Sequence, residues 1–199
     1  MKISILLPYK ENFSPEYAGA VSLFVNDTTQ KSMFKSKISI FGCTEFTKKF
    51  KLNYVDLKLT KFFDLSKTRS YVNEFIKHEY EIKSDLIEVH NRPKYVFLIK
   101  KKVKTKIVFF FHNNPLTMEG SKSSGDRTKL LEICDLIIFN SDWCKKQFLK
   151  KLSIKDIDIS KILTIRQSTE KSNVKLSDKK KYITFVGKLN RAKGYDIFG

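Results

Sequence analysis

The stretch Leu86–Pro115, LIEVHNRPKYVFLIKKKVKTKIVFFFHNNP, decides the fold of this chain. Leu86–Val89 is a short β-branched and apolar run of strand length. Lys94–Lys101 has the length and spacing of a short helix. Lys106–Phe111 is apolar at nearly every position, as in a strand covered on both faces of a parallel sheet. Each strand ends in the same way, with His-Asn-x-Pro: His90-Asn91-Arg92-Pro93 after the first and His112-Asn113-Asn114-Pro115 after the second. A strand, a crossover helix and a second apolar strand make one βαβ unit.

The alternation extends outward from this unit. Towards the amino end, strands are predicted at Ile3–Leu7, Lys37–Phe41 and Tyr54–Leu57. Helices are predicted at Glu16–Lys31, with Val21, Phe24 and Val25 facing inward, and at Leu65–Ile82. Towards the carboxyl end, a helix at Arg127–Cys134 and a strand at Leu136–Phe139 follow. A helix at Asp142–Leu152, with Ser141 as its N-cap, and a strand at Ile162–Arg166 complete the series. Strands and helices taking turns predict an α/β fold, a Rossmann-like doubly wound parallel sheet spanning residues 1–166. The polar, lysine-rich segment 167–181 has no apolar periodicity and reads as a linker. A new strand is predicted at Tyr182–Val186, with a helix starting at Tyr195. The chain ends at Gly199 inside that unit, which predicts the truncated start of a second domain over residues 182–199.

The 199 residues include 39 Lys and Arg against 21 Asp and Glu, a formal charge of +18. Such a surplus favours an anionic partner: nucleic acid, anionic lipid or a phosphorylated substrate. A composition rich in Lys, Ile, Asn and Phe produces the same number without any such selection, so charge alone does not fix the class. Cys43, Cys134 and Cys144 have neither metal-ligand nor CxxC spacing, which predicts a reduced, cytoplasmic chain with no metal site. The apolar run Ile3–Leu7 is too short for a signal core, and no stretch approaches a membrane span.

In doubly wound sheets, ligands bind beyond the carboxyl ends of the strands. The unusual residues of this chain fall in that layer: Tyr9 and the Ala18-Gly19-Ala20 loop, His90 and Asn91, His112 and Asn113, and Asn140-Ser141. His112 directly follows the most apolar strand, where a titratable ring is costly unless it is used. His90 reads first as part of a strand-ending turn, and His78, on a charged helix face, reads as a surface residue. There is no GxGxxG and no Walker sequence. Gly187-Lys188-Leu189-Asn190-Arg191-Ala192-Lys193-Gly194 places three cations and two glycines in one strand-to-helix loop, a composition suited to a diphosphate.

Five segments, in order, resemble glycosyltransferase family 4 and its GT-B relatives: ILLPYKENFSPEYAGA (5–20), IEVHNRPKY (87–95), FFFHNNPLTMEGSKS (109–123), LIIFNSDWCKKQF (136–148) and FVGKLNRAKGYDIF (185–198). The resemblance implies two facing Rossmann-like domains, the first holding the acceptor and the second the nucleotide sugar. It implies transfer of a sugar from a nucleotide-diphosphate donor to a glycan or lipid-linked acceptor, with retention and without a tightly bound metal or cofactor. His112 resembles the histidine beside the donor sugar, while Gly19, Lys188 and Lys193 resemble the groups around the donor diphosphate. The family commonly has Arg where Lys188 stands, which loses the bidentate fork. Tyr9, His90, Asn91, Asn113, Ser141 and Arg191 are the further substrate-binding candidates.

The same resemblance implies a role in envelope polysaccharide or lipopolysaccharide synthesis, and a 199-residue chain inactive by itself. Basic stretches at Lys100–Lys106, Lys145-Lys146 and Lys150-Lys151 admit docking on the inner face of an anionic membrane. A GT-B nucleotide-sugar epimerase is the nearest alternative. A non-enzymatic nucleic-acid-binding protein is the alternative from another class, although the cations are scattered and no nucleic-acid module is recognisable.

Overall fold

The structure, a computed structural model, describes residues 1–59, 66–153, 158–168, 181–186, 189, 191 and 194–198. The chain divides into two units, Met1–Gln167 and Ser168–Gly199. The first unit carries seven parallel strands: β1 (Ile3–Leu6), β2 (Ile38–Gly42), β3 (Tyr54–Asp56), β4 (Leu86–His90), β5 (Lys106–Phe111), β6 (Leu136–Phe139) and β7 (Ile162–Thr164). Their spatial order is β3-β2-β1-β4-β5-β6-β7. The chain winds outward from β1 to β3, returns, and winds outward again from β4, so the winding reverses between β1 and β4.

Among the described residues five α-helices serve this sheet: α1 (Ala20–Lys31), α2 (Lys67–Ile82), α3 (Pro93–Lys100), α4 (Ser124–Ile133) and α5 (Asp142–Leu149). Strand alternation sends Ile3, Ile5, Leu7, Ile38 and Ile40 to one face, against Val21 and Val25. Leu6, Phe41, Val89, Phe109 and Phe111 go to the other, larger core with residues of α2 to α5. In that core Phe111 stacks on Phe139 at 5.5 Å, and Phe148 of α5 lies 5.2 Å from Phe139. Each fully buried phenyl ring contributes roughly 1.5–3 kcal/mol.

Several polar groups in the core are paired. Tyr71 on α2 donates its hydroxyl to the Leu7 carbonyl at 2.9 Å. Glu79, also on α2 and buried, accepts from the hydroxyls of Ser4 on β1 and Ser84. Arg127 on α4, only 2% exposed, donates to four carbonyls: Phe148 at 2.7 Å, Ser121 at 2.9 Å, Lys122 at 2.8 Å and Lys150 at 2.6 Å. Two of these acceptors lie at the end of α5, so one guanidinium closes that helix terminus and ties it to the loop before α4.

Several boundaries differ from the sequence expectations for physical reasons. The first helix starts at Ala20, not Glu16, because the Glu11 carboxylate closes its first turn by accepting the Ser22 N–H at 3.1 Å and hydroxyl at 3.0 Å. Ser141 caps α5 as expected, accepting the Cys144 N–H at 3.2 Å, but that helix ends at Leu149 instead of Leu152. His78 is half-buried and tilted on Phe41 at 5.7 Å, not fully at the surface. The start predicted at Leu65 and most of the predicted linker lie outside the described residues.

Tyr182–Val186, expected as a strand, pairs with no neighbour among the described residues. A strand is stabilised by a ladder, and no other strand of its unit is described to supply one. Phe185 instead meets Tyr195 at 5.5 Å and Phe198 at 5.4 Å, both on the short helix α6 (Tyr195–Phe198).

Candidate functional site

The reversal between β1 and β4 opens a crevice at the carboxyl ends of the strands, where doubly wound sheets bind ligands. Two histidines meet beside it. His90 ends β4 and is fully buried; His112 follows β5 and is half-buried. His90 Nδ1 lies 2.8 Å from His112 Nε2, and His90 Nε2 lies 2.6 Å from a carboxylate oxygen of Glu88. Gln167 places its side-chain amide nitrogen 2.8 Å from His112 Nδ1.

These contacts fix every proton in the chain. An ionised Glu88 only accepts, so His90 carries its proton on Nε2 and presents a bare Nδ1. That nitrogen accepts from His112 Nε2–H, which leaves His112 Nδ1 bare to accept from Gln167. The order of donation is Gln167 to His112 to His90 to Glu88. The pattern arises because Glu88 and His90 are two residues apart on β4 and therefore share a face.

Phe24 of α1 closes this group from above, with its ring 5.3 Å from His112, 6.1 Å from His90 and 5.5 Å from Phe110. Burial pulls the His112 pKa down to about 3, with His90 adding to the shift. His112 is therefore neutral at pH 7, a hydrogen-bonding ring and not a fixed cation. Below about pH 6.5 the unfolded chain takes up a proton that folded His112 refuses until about pH 3. Stability is thus expected to fall with pH through that window, by up to about 1.4 kcal/mol per pH unit for one proton. Urea unfolding of the chain and of His112→Gln at about pH 7 and about pH 5 measures it. An acid-induced loss of the same size in both proteins would remove His112 as its source.

The other residues singled out in the sequence take varied positions. Gly19 is the N-cap of α1 in extended conformation; a Cβ there would overlap the Glu11 carboxylate. A side chain at this point would push aside the end of the Glu11 side chain. Gly19→Ala is expected to displace that carboxylate and cost about 1 kcal/mol, the usual value of a helix cap. A melting temperature equal to that of the unaltered chain would contradict this. Asn113 is exposed and its carbonyl accepts from the Cys144 thiol at 3.3 Å. Burial pushes that thiol up to about 11 and Cys134 up to about 12, so neither sulfur is a nucleophile near neutrality.

Asn140 donates its amide to the His112 carbonyl at 2.9 Å, and Ser141 donates to Asn140 at 3.3 Å. Sequence reasoning missed Glu88, Gln167 and Phe24 as partners of the histidines. The i, i+2 spacing of Glu88 and His90 carried the one signal that was available.

Tyr9 and Asn91 lie together in a cleft of about 380 Å³ on the α3 side of the crevice, with Arg92, Lys94, Tyr95 and Thr117. Arg191, in the second unit, is exposed and pairs with Asp196 at 3.7 Å. Lys188 and Lys193 lie outside the described residues. Among the described residues no group of three potential metal ligands comes together.

The sheet order, the all-parallel ladders and the crevice at the reversal define a Rossmann-like α/β domain of the GT-B type. No protein-family model matches the chain, and no curated protein matches it in sequence. Solved structures match it in fold. HepE of Anabaena, in complex with UDP-glucose, superimposes with a TM-score of 0.56 at 13% identity, over 85% of this chain and 45% of its own. A glycosyltransferase of Rickettsia africae gives a TM-score of 0.57 at 12% identity, over 83% and 43%. The UDP-GlcNAc 2-epimerase of Neisseria meningitidis, bound to UDP-GlcNAc, gives 0.53 at 16%, over 82% and 46%. The chain spans less than half the length of these proteins.

Proposed function

We propose that this chain is the acceptor-side domain of a retaining glycosyltransferase, followed from residue 182 by the start of its donor-binding domain. It moves a sugar from a nucleotide-diphosphate donor to a glycan or lipid-linked acceptor in envelope polysaccharide or lipopolysaccharide synthesis. The observation that carries this reading is His112, neutral and held in one tautomer at the mouth of the crevice. Among the described residues its Nδ1 meets the exposed side chain of Gln167.

A sugar hydroxyl arriving at His112 replaces the Gln167 amide as donor to Nδ1, so the hydrogen-bond count at the ring is unchanged. The Glu88–His90 pair behind it keeps the ring from turning. The role of His112 is orientation of the donor sugar and electrostatic support of the transition state, not proton abstraction. Within the second unit, charge on the leaving diphosphate falls to Lys188, Lys193 and Arg191. An anion reaching the first turn of α1 must displace the Glu11 carboxylate that now closes it. Asn113 and Ser141 border the same crevice. The domain works on the cytoplasmic side.

Among the described residues no helix is long and apolar enough to cross a membrane. Peripheral docking on an anionic leaflet fits α5, where Trp143 is 57% exposed beside Lys146 and Lys150. Lys100 is less available, since its ammonium closes the turn after α3 by donating to the Thr105 carbonyl at 3.3 Å.

The experiment is a nucleotide-sugar screen on the parent reading frame, extended past Gly199, beside the 199-residue chain. Release of UDP or GDP with sugar appearing on an acceptor supports the transferase. The epimerase is the second reading, favoured by the likeness to the Neisseria fold, and is recognised by a changed sugar still attached to its nucleotide. An extended form that binds no nucleotide sugar overturns both.

A further inference from the structure

Among the described residues four buried side-chain polar atoms lack a hydrogen-bond partner, on Asn26, Thr29, Asn91 and Thr164, and Asn91 is the one of these that lines the cleft. Its side chain is 5% exposed, and its Oδ1 has no hydrogen-bond donor. An orphaned carbonyl oxygen at this depth costs about 1–3 kcal/mol. Its backbone is also left-handed, with φ of 54°, a conformation that Asn tolerates better than most residues. A strained backbone and an unpaired acceptor on one residue, at the end of β4 where the winding reverses, mark a position prepared for a ligand.

The cleft that Asn91 lines states the chemistry of that ligand. Tyr9 and Tyr95 form one wall, joined by the Tyr9 N–H donating to the Tyr95 hydroxyl at 3.1 Å. Arg92 stands exposed at the rim, one N–H pinned to the Asn91 carbonyl at 2.8 Å. Lys94 is neutralised by Glu119, which leaves Arg92 as the net charge of the group. Helix α3 starts at the cleft with Pro93, and no side chain caps it. A hydroxyl donor satisfies Asn91; an anionic group answers Arg92 and the positive end of α3. The half-buried ring of Tyr9 suits the apolar face of a sugar, with the buried Tyr95 behind it.

We infer that this cleft is a binding site for a phosphosugar, with a sugar hydroxyl on Asn91 Oδ1 and the phosphate against Arg92. This names the acceptor class of the transferase proposed above and rests on that reading. Binding at the cleft is nevertheless measurable without turnover, so the two ideas fail separately.

The test is calorimetric titration of the 199-residue chain with glucose 1-phosphate, glucose, inorganic phosphate, and a farnesyl diester of glucose 1-phosphate in detergent micelles. Glucose 1-phosphate or its farnesyl form is expected to bind, and the tighter of the two tells whether the acceptor is free or lipid-linked. Asn91→Gly, which keeps the left-handed backbone, and Arg92→Gln, at an exposed position, are each expected to weaken that binding about tenfold. Equal binding of phosphate alone or of glucose alone overturns the inference. So does binding that survives both cleft substitutions, or the absence of binding by every probe.

Discussion

On the proposed transferase reading, His112→Ala is expected to lower turnover in the extended reading frame by roughly 10²–10³-fold while leaving the fold intact. The size follows from what the ring supplies. A preorganised hydrogen-bonding group removed from a transition state costs about 2.7–4 kcal/mol, and His112 is preorganised at both ends. Its Nε2–H is committed to His90, which is itself committed to Glu88, so the ring cannot rotate to save the contact. The loss should fall on kcat more than on KM. His112→Gln should recover part of it, because a carboxamide can still accept from a sugar hydroxyl. Glu88→Gln tests the chain behind it: the His90 tautomer is no longer dictated, and turnover should fall by a smaller factor of about ten. Steady-state release of nucleotide diphosphate measures all three. An alanine variant within twofold of the parent would show that His112 does not meet the reacting sugar.

Arg127→Met is expected to be the most destabilising single substitution in the first unit, at about 3–5 kcal/mol. Methionine restores much of the volume but none of the five N–H donors. Four carbonyls, of Ser121, Lys122, Phe148 and Lys150, lose their donor at once. Hydrogen bonds to a charged donor are worth about 1.5–3 kcal/mol each, and water reaches some of the freed carbonyls, so the total is less than the sum. Arg127→Lys keeps the charge but offers a point in place of a planar fork, and should lie between the two. For a unit of this size the methionine variant should melt about 10 °C lower. Loss of less than about 1 kcal/mol in urea unfolding would mean that α5 and the loop before α4 hold without the guanidinium.

Neither effect was legible in full from the sequence. Arg127 sat in a predicted helix as one more cation in a chain of charge +18. Nothing in its neighbours distinguishes it from the lysines that face solvent. Its burial is decided by where α5 ends, and that depends on packing of Phe148 against Phe111 and Phe139. The two histidines were legible as residues after strands, but not as partners. His90 and His112 are 22 positions apart, and their contact exists because β4 and β5 pair in parallel with His90 opposite Phe110. Gln167 was read as the first residue of a linker and instead reaches back to His112.

The sequence by itself determined the class of fold and the layer that holds the candidate site. Strand-length apolar runs alternating with helical spacing admit few arrangements other than a parallel sheet covered on both faces, and that pattern is local. It also placed Tyr9, His90, Asn91, His112 and Ser141 at strand ends, because a side chain's position along a strand follows from counting. Which of those groups touch, which proton each carries, which helix end is closed by Glu11 and which carbonyl oxygen of Asn91 is left unpaired were decided by the tertiary structure alone. Those properties depend on register between strands distant in sequence and on distances of a few tenths of an ångström, and neither is encoded in any short stretch of chain.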